Sequence, residues 1–541
     1  MIEKEEIGMR FFGKRHRKPP VSKQFFHGGL VDQTTQTELL RPSLQKNVQK
    51  VVDVLGNSDD LVIREVRIGS SRRIKVGILY IDGLADTKSV QDFIMETLMV
   101  DIHQTDFEDM LSHSQNLLPF LKEFVLTVGE IEDVNDLDTV VASLVSGNVV
   151  LLLDGYVQGF VIGMSGWRDR GVQETSAESV IRGPREGFTE TIRTNTALVR
   201  RKIRDRNLRL ESRVIGRVTK TEVAIMYIDG IANQEVVQEV RARLDRIDID
   251  GILESGYIEE LIQDETYTPF PTIYNTERPD VIAAGLLEGR IAILVDGTPF
   301  VLLVPALMVQ FFQAPEDYYQ RADISTLLRL LRYLSFFIAL LAPSLYIAIT
   351  TFHQEMIPTP LLISLAAQRE GVPFPAFIEA LIMEITFEIL REAGVRMPKA
   401  IAAAVSIVGT LVVGTAAVEA GIVSAAMVIV VAITAISTFV LPAFNIGIAV
   451  RILRFALMAL AASFGLFGII VGLIALVLHL CSLRSFGVPY LSPFAPLIPT
   501  DQKDAMLRVP WWAMFSRPRL ISQRNVRREQ NPSTPKPPPR R

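Results

Sequence analysis

Hydrophobic and polar positions divide this chain into two unlike parts. Up to about Asp323, short apolar runs alternate with charged stretches, as in a soluble protein. From about Leu327 to Pro499, Ala, Val, Ile, Leu, Gly and Phe dominate, and Glu419 is the only charged residue between Ala400 and Val450. In the first part, apolar runs ending in Asp-Gly recur as a weak repeat. Residues 75–86 match residues 222–233, with Tyr-Ile-Asp-Gly in the same place, and residues 147–155 match 289–297. Each such run predicts a buried strand stopped by a turn, with Gly supplying positive φ and Asp bonding the local backbone. A helical pattern follows over residues 233–247. The fold class predicted is an α/β soluble N-terminal region of two related subdomains, followed by an α-helical multi-pass membrane domain.

The apolar part begins with residues 333–351, nineteen positions without a charge, and Pro343 in their middle predicts a kink. A Pro-rich connection (358–375), an acidic segment (375–395), two runs (400–418 and 422–440) and a last long run (455–480) follow. With Gly465 and Gly468 inside it, the last run is one tilted helix or a hairpin; Pro343, Gly465 and Gly468 are the candidate kink or gate positions. The predicted domains are a basic N-terminal extension (1–38), subdomain 1 (39–165), a helical connection (166–213) and subdomain 2 (214–325). A membrane domain of four to six helices (326–500) and a basic, Pro-rich cytoplasmic tail (501–541) complete the chain. The tail is expected to be disordered beyond Leu520.

Composition adds exclusions. At 541 residues the chain exceeds one core. The net charge of −4 averages unlike regions, since residues 501–541 hold ten Lys/Arg against three Asp/Glu. One cysteine, Cys481, rules out a disulfide framework or CxxC metal site within one chain. The first twenty residues lack an apolar core segment, so no cleaved signal peptide is expected and the N-terminal half is placed on the cytoplasmic side. No GxGxxG after a strand, Walker A, HExxH or GxSxG motif occurs, and the six histidines are scattered, with only His103 and His113 near each other. The prediction is no enzyme, no cofactor and no metal site. The basic stretch 200–213 lacks interleaved aromatics, which reads as a solvated helix or subunit contact rather than nucleic-acid binding.

Glu384, Glu388 and Glu392 recur every four residues in the acidic segment, which draws one stripe down a helix face. Carboxylates at membrane depth are costly unless they face water, ions or a partner. Three readings remain: an interfacial amphipathic helix, a brace pairing with Arg391, Arg396 or Lys399, or a cation pathway built from rings of Glu. Glu379 lies on the opposite face from Glu388 and is set apart. Basic residues cluster at 321–332, 391–399, 451–454 and in the tail. Placing all four on one side requires the acidic segment to cross and the last run to double back, or else the tail to lie outside.

Several segments carry a resemblance: residues 275–305, 315–319, 352–361, 369–394, 447–455 and 485–496 are similar to the A subunits of bacterial spore germinant receptors, the GerA family. The similarity runs from roughly Leu39 to Arg519. A sporulation-specific paralogue shares the fold; the stretches 297–305, 315–321 and 352–360 look more like the receptor subclass. The resemblance implies a protein of the spore inner membrane that acts with a transporter-like B subunit and a lipoprotein C subunit. It also implies a homo-oligomer forming a nutrient-gated channel for monovalent cations, and it moves the stripe toward the cation-pathway reading. The alternatives it leaves are a signalling scaffold that relays nutrient binding to a separate channel, or a nutrient transporter component.

Overall fold

The computed structural model describes residues 38–68, 74–95, 118, 121–122, 131–166, 182–397, 412–523 and 525–528. The N-terminal extension before residue 38, His103, His113, Lys399, most of the 400–418 run and the Pro-rich tip lie outside them.

The repeat folds as two five-stranded sheets. The first holds β1 (Leu61–Ile68), β2 (Ile74–Ile81), β3 (Ile131–Val134), β4 (Val149–Leu153) and β5 (Gly159–Ile162), in the order β1-β2-β4-β5-β3. The second holds β6 (Leu208–Ile215), β7 (Thr221–Ile228), β8 (Tyr274–Thr276), β9 (Ile291–Val295) and β10 (Val301–Val304), in the corresponding order β6-β7-β9-β10-β8. Every pairing is antiparallel. The central strands read as unbroken apolar runs because neither face meets water. Helices cover both faces of the second sheet; in the first sheet, two helices cover one face while Val90 and Ile94 meet the other. In chain order these helices are α1 (Leu44–Val54), α2 (Leu137–Val145), α3 (Ile192–Lys202), α4 (Gln234–Asp245), α5 (Ser255–Ile262) and α6 (Pro279–Leu287). The predicted helix after β7 is α4, capped by Asn233, whose side chain accepts from the Glu235 amide.

The four Asp-Gly glycines of the repeat take positive φ: 82° at Gly83, 90° at Gly155, 80° at Gly230 and 89° at Gly297. Of the aspartates, Asp229 bonds locally as predicted, its Oδ1 accepting from Gly230 N at 3.0 Å, whereas Asp154 and Asp296 depart from the prediction. Asp154 Oδ1 accepts from Leu44 N at 3.0 Å, and Asp296 Oδ1 from Ile192 N at 3.0 Å. Each thus caps a helix that precedes its own sheet; neither Ser43 nor Thr191, at those helix starts, makes a side-chain cap.

The 200–213 stretch is not a single solvated helix: it ends α3 and becomes edge strand β6, and most of its charges are paired, although Arg204 stays exposed. Arg200, 2 % exposed, donates from Nε to Asp60 at 2.5 Å and from Nη2 to Ser58 at 2.8 Å, which joins the two subdomains. Lys202, Arg206 and Arg209 pair with Glu186, Asp138 and Asp229.

The apolar part contributes α7 (Ala322–Phe352), α8 (Thr359–Arg369), α9 (Ala376–Arg396), α10 (Ala425–Phe439) and α11 (Phe444–Ser482). Among the described residues only α7 and α11 are long and apolar enough to cross a bilayer. Charges disqualify α9, and α10 has 15 residues. The 39 residues of α11 are interrupted at Gly465, with φ 62° and ψ −141°, a conformation open essentially to glycine alone. Beyond it the chain doubles back. A Cβ on Gly472 would fall 2.7 Å from Leu457 Cδ2, and one on Gly468 would strike the Leu460 carbonyl. In a straight helix residues 457 and 472 stand roughly 22 Å apart. Of the two forms open to the last run, the hairpin is the one adopted, with its tip against Phe352 and His353 at the end of α7.

After α11 the chain returns to subdomain 2. Ser485 donates to the Thr272 carbonyl, Arg517 Nε to the Leu287 carbonyl at 2.8 Å and Ser522 Oγ to the Ile231 carbonyl at 2.9 Å. Ile521 is 1 % exposed. The expectation of disorder beyond Leu520 is therefore corrected for residues 521–523 and 525–528, because apolar side chains and backbone acceptors of subdomain 2 take them up. One apolar core runs from subdomain 2 (Leu208, Met226, Leu294, Leu303) through Phe336 and Leu340 of α7 to Ile446, Ala449, Val450 and Leu480 of α11.

Candidate functional site

The acidic stripe of α9 faces the first arm of α11. Glu384 is fully buried, and its Oε2 accepts from Arg454 Nη1 at 2.5 Å. Glu388 Oε2 accepts from Arg451 Nη1 at 2.5 Å. The register is antiparallel: rising numbers on α9 meet falling numbers on α11, so an i,i+4 pair of carboxylates matches an i,i+3 pair of arginines. Glu392, exposed, pairs within its own helix with Arg396 Nε at 2.7 Å. Of the partners named for a brace only Arg396 is used. Arg391 instead lies over the rings of Phe439 and Phe444, and Lys399 lies outside the described residues.

Arginines 451 and 454 lie in α11 just ahead of the 455–480 run and are aimed at carboxylates, because an isolated charge among apolar helices is costly and a paired one less so. Neither is among the partners named from the sequence; their spacing, three apart within an otherwise apolar helix, is the signal that points to them. Glu384 and Glu388 each keep one buried carboxylate oxygen, Oε1, without a hydrogen bond.

Glu379 was set apart from the stripe by its angle, and it has a different task. Fully buried, it accepts from Ser424 N at 3.0 Å and Ser424 Oγ at 2.8 Å, fixing the start of α10, with the Arg369 guanidinium 3.2 Å away. Of the candidate kink positions, Pro343 lies buried inside α7, which continues across it. Arg454 Nε donates to the Ala339 carbonyl four residues earlier at 2.8 Å, and Arg454 Nη2 to Thr438 of α10 at 3.2 Å. Gly465 and Gly468 belong together as the turn and the close approach of the α11 hairpin.

A second charged cluster, which periodicity did not reveal, joins subdomain 2 to α7. Arg278 donates to Asp280 at 2.8 Å and to Glu316 at 2.8 Å, and Tyr319 donates to Asp280 at 2.7 Å. Burial alone would raise the Asp280 carboxyl, but Arg278 and Tyr319 outweigh it and hold it below its usual 3.8. One turn on, Asp317 receives Arg332 at 2.7 Å and Arg329 at 3.2 Å, and Arg329 also reaches Asp504 of the returning tail at 3.0 Å. Burial raises the Asp504 carboxyl, opposed by Arg329. No group of acidic, His and Cys residues suited to a metal ion occurs among the described residues.

The family model described as Bacillus/Clostridium GerA spore germination protein matches residues 49–520. Spore germination protein KA of Bacillus subtilis is 49 % identical over 92 % of this chain and 90 % of its own length. The uncharacterized membrane protein YfkQ of the same organism is 46 % identical over 93 % of this chain and 96 % of its own. Spore germination protein GerLA of Bacillus cereus is 40 % identical over 90 % and 97 %. The crystal structure of the N-terminal domain of the A subunit of the Bacillus megaterium spore germinant receptor GerK3 is 44 % identical, with a TM-score of 0.41 over 51 % of this chain and all of that one.

Proposed function

The chain belongs to the Bacillus/Clostridium GerA family of spore germination proteins, and from that premise we propose that it is the A subunit of a nutrient receptor that triggers germination. In this reading it is a multi-pass protein of the spore inner membrane, with its soluble subdomains on the core side. It works beside a transporter-like B subunit and a lipoprotein C subunit, and several copies enclose a path for monovalent cations. The acidic face of α9, with Glu384, Glu388 and Glu392, borders that path.

The observation that supports it is the pair of carboxylates held among apolar helices, each with one oxygen left to accept. Carboxylate oxygens in a low-dielectric surround concentrate cations strongly. In the resting protomer the arginines neutralise them. A nutrient bound to the partner opens the path only by favouring the open arrangement over the closed one.

The same pairs favour a second reading, a scaffold that relays nutrient binding to a separate channel. Both pairs form within one protomer and carry no net charge. The two readings part on one measurement: cation current through receptor complexes reconstituted in liposomes, exposed to a rich nutrient broth. As a channel, the complex carries broth-evoked current, and Glu388→Gln lowers its cation selectivity about severalfold by removing a charge from the path. As a scaffold, the complex carries no current, and Glu388→Gln alters germination alone.

A further inference from the structure

In a helix the carbonyl of Ala339 should receive the peptide N–H of residue 343, and that residue is proline, which has none. An unsatisfied carbonyl is expensive among apolar helices, where no water replaces the lost donor, and neighbouring side chains usually do so. Here the replacement comes from another helix: Arg454 Nε lies 2.8 Å from Ala339 O. Its other two nitrogens are spent on further helices, Nη1 on Glu384 of α9 at 2.5 Å and Nη2 on Thr438 of α10 at 3.2 Å. Arg454 is 2 % exposed, and Pro343 and Glu384 are buried with it.

We infer that Arg454 is a positioning residue that stands in for the N–H missing at Pro343 and so pins α9 and α10 to the one point where α7 lacks its own hydrogen bond. Glu384 has its place in this arrangement as the counter-charge that makes a buried guanidinium tolerable. The planar fork of guanidinium suits the task, since its three nitrogens point in different directions and each meets a different helix. A lysine brings the same charge but one nitrogen, which cannot reach three acceptors on three helices. The role concerns how one protomer is held and stands whether or not ions pass along α9.

A mutant cycle on the full chain in lipid nanodiscs, read by thermal midpoint, tests this. Pro343→Ala restores a backbone donor to the Ala339 carbonyl. The background Glu384→Gln/Arg454→Met removes both charges together, leaving the carbonyl as the group without a donor. Adding Pro343→Ala there should raise the midpoint by about 3 °C or more, whereas in the unaltered chain it should leave the midpoint unchanged or lower it. If the double variant does not accumulate, Arg454→Lys serves as the background, and the same rise is expected. Equal shifts from Pro343→Ala with and without Arg454 would overturn the inference, because a merely structural arginine has no reason to be coupled to that proline.

Discussion

Asp154 and Asp296 show how much a single side chain can carry in a duplicated fold. Each closes the N-terminus of a helix that lies more than a hundred residues earlier, and the neighbouring glycines repeat the match. Gly155 N donates to the Pro42 carbonyl, and Gly297 N to the Glu190 carbonyl, both at 2.7 Å. Asp154→Ala and Asp296→Ala should each cost about 1 kcal/mol, the usual worth of a helix cap, read by urea denaturation of the full chain in detergent. Equal losses would mark equivalent roles in the two halves; no loss at either site would reduce the aspartates to turn formers. Asp280 gives a pH signature. Its carboxyl is held below the unfolded value, so its stabilisation is complete above about pH 4 and is lost as pH falls through the lower folded value. Asp280→Asn should remove that part of the acid dependence, visible as a flatter stability profile between about pH 5 and pH 2. The turn glycines were legible because positive φ is a local demand. The distant helix starts were not, because no local pattern says whose carboxylate will arrive there. The charges of 200–213 misled for a related reason: a basic run looks solvated until the acids that meet it are known.

At the scale of elements, length and charge pattern carried most of the information. The last apolar stretch exceeds what one bilayer crossing needs, and two glycines inside it left the hairpin open as one of two forms. Gly465→Ala should destabilise the chain by about 1–3 kcal/mol, because an L side chain resists φ 62° with ψ −141°. Gly394→Ala, on α9 with open space around its Cα, should be neutral or slightly stabilising. Thermal midpoints in nanodiscs would rank the two; similar values would speak against a strained turn at Gly465. The acidic stripe was legible as a helix face, and Arg396 was a correct partner for Glu392, whereas the partners of Glu384 and Glu388 were not foreseen. Arg391 and Lys399 are close in sequence, but helix register selected Arg451 and Arg454 on a neighbouring helix. Spacing supplies geometry within a helix and says little about which helix will lie alongside.

The molecule as a whole is asymmetric in a way that the repeat conceals. The two sheets share one topology, yet only the second merges its core with α7 and α11. The first has separate cores on its two faces, drawn from residues before 165 apart from Ala197. The segment after α11 belongs to the same union, since it returns to Thr272, Leu287 and Ile231. Ending the chain after Arg508 should loosen subdomain 2 and spare subdomain 1. Hydrogen exchange should rise in peptides covering 228–234 and 285–291 and stay constant in those covering 149–162. Uniform change across both would mean that the returning segment has no local structural role.

That return has a consequence for how the protein is made. Synthesis runs from the N-terminus, so both sheets leave the ribosome long before the segment that packs onto the second subdomain. Everything between, α7 to α11, including the two helices long and apolar enough to cross a bilayer, is made in the interval. Subdomain 1 is free to reach its final form early, while subdomain 2 waits with an uncovered seat until the last residues emerge. A ribosome stalled anywhere within the helical region therefore leaves subdomain 2 with all its strands but with its seat uncovered, recognisable to a protease as an immature chain.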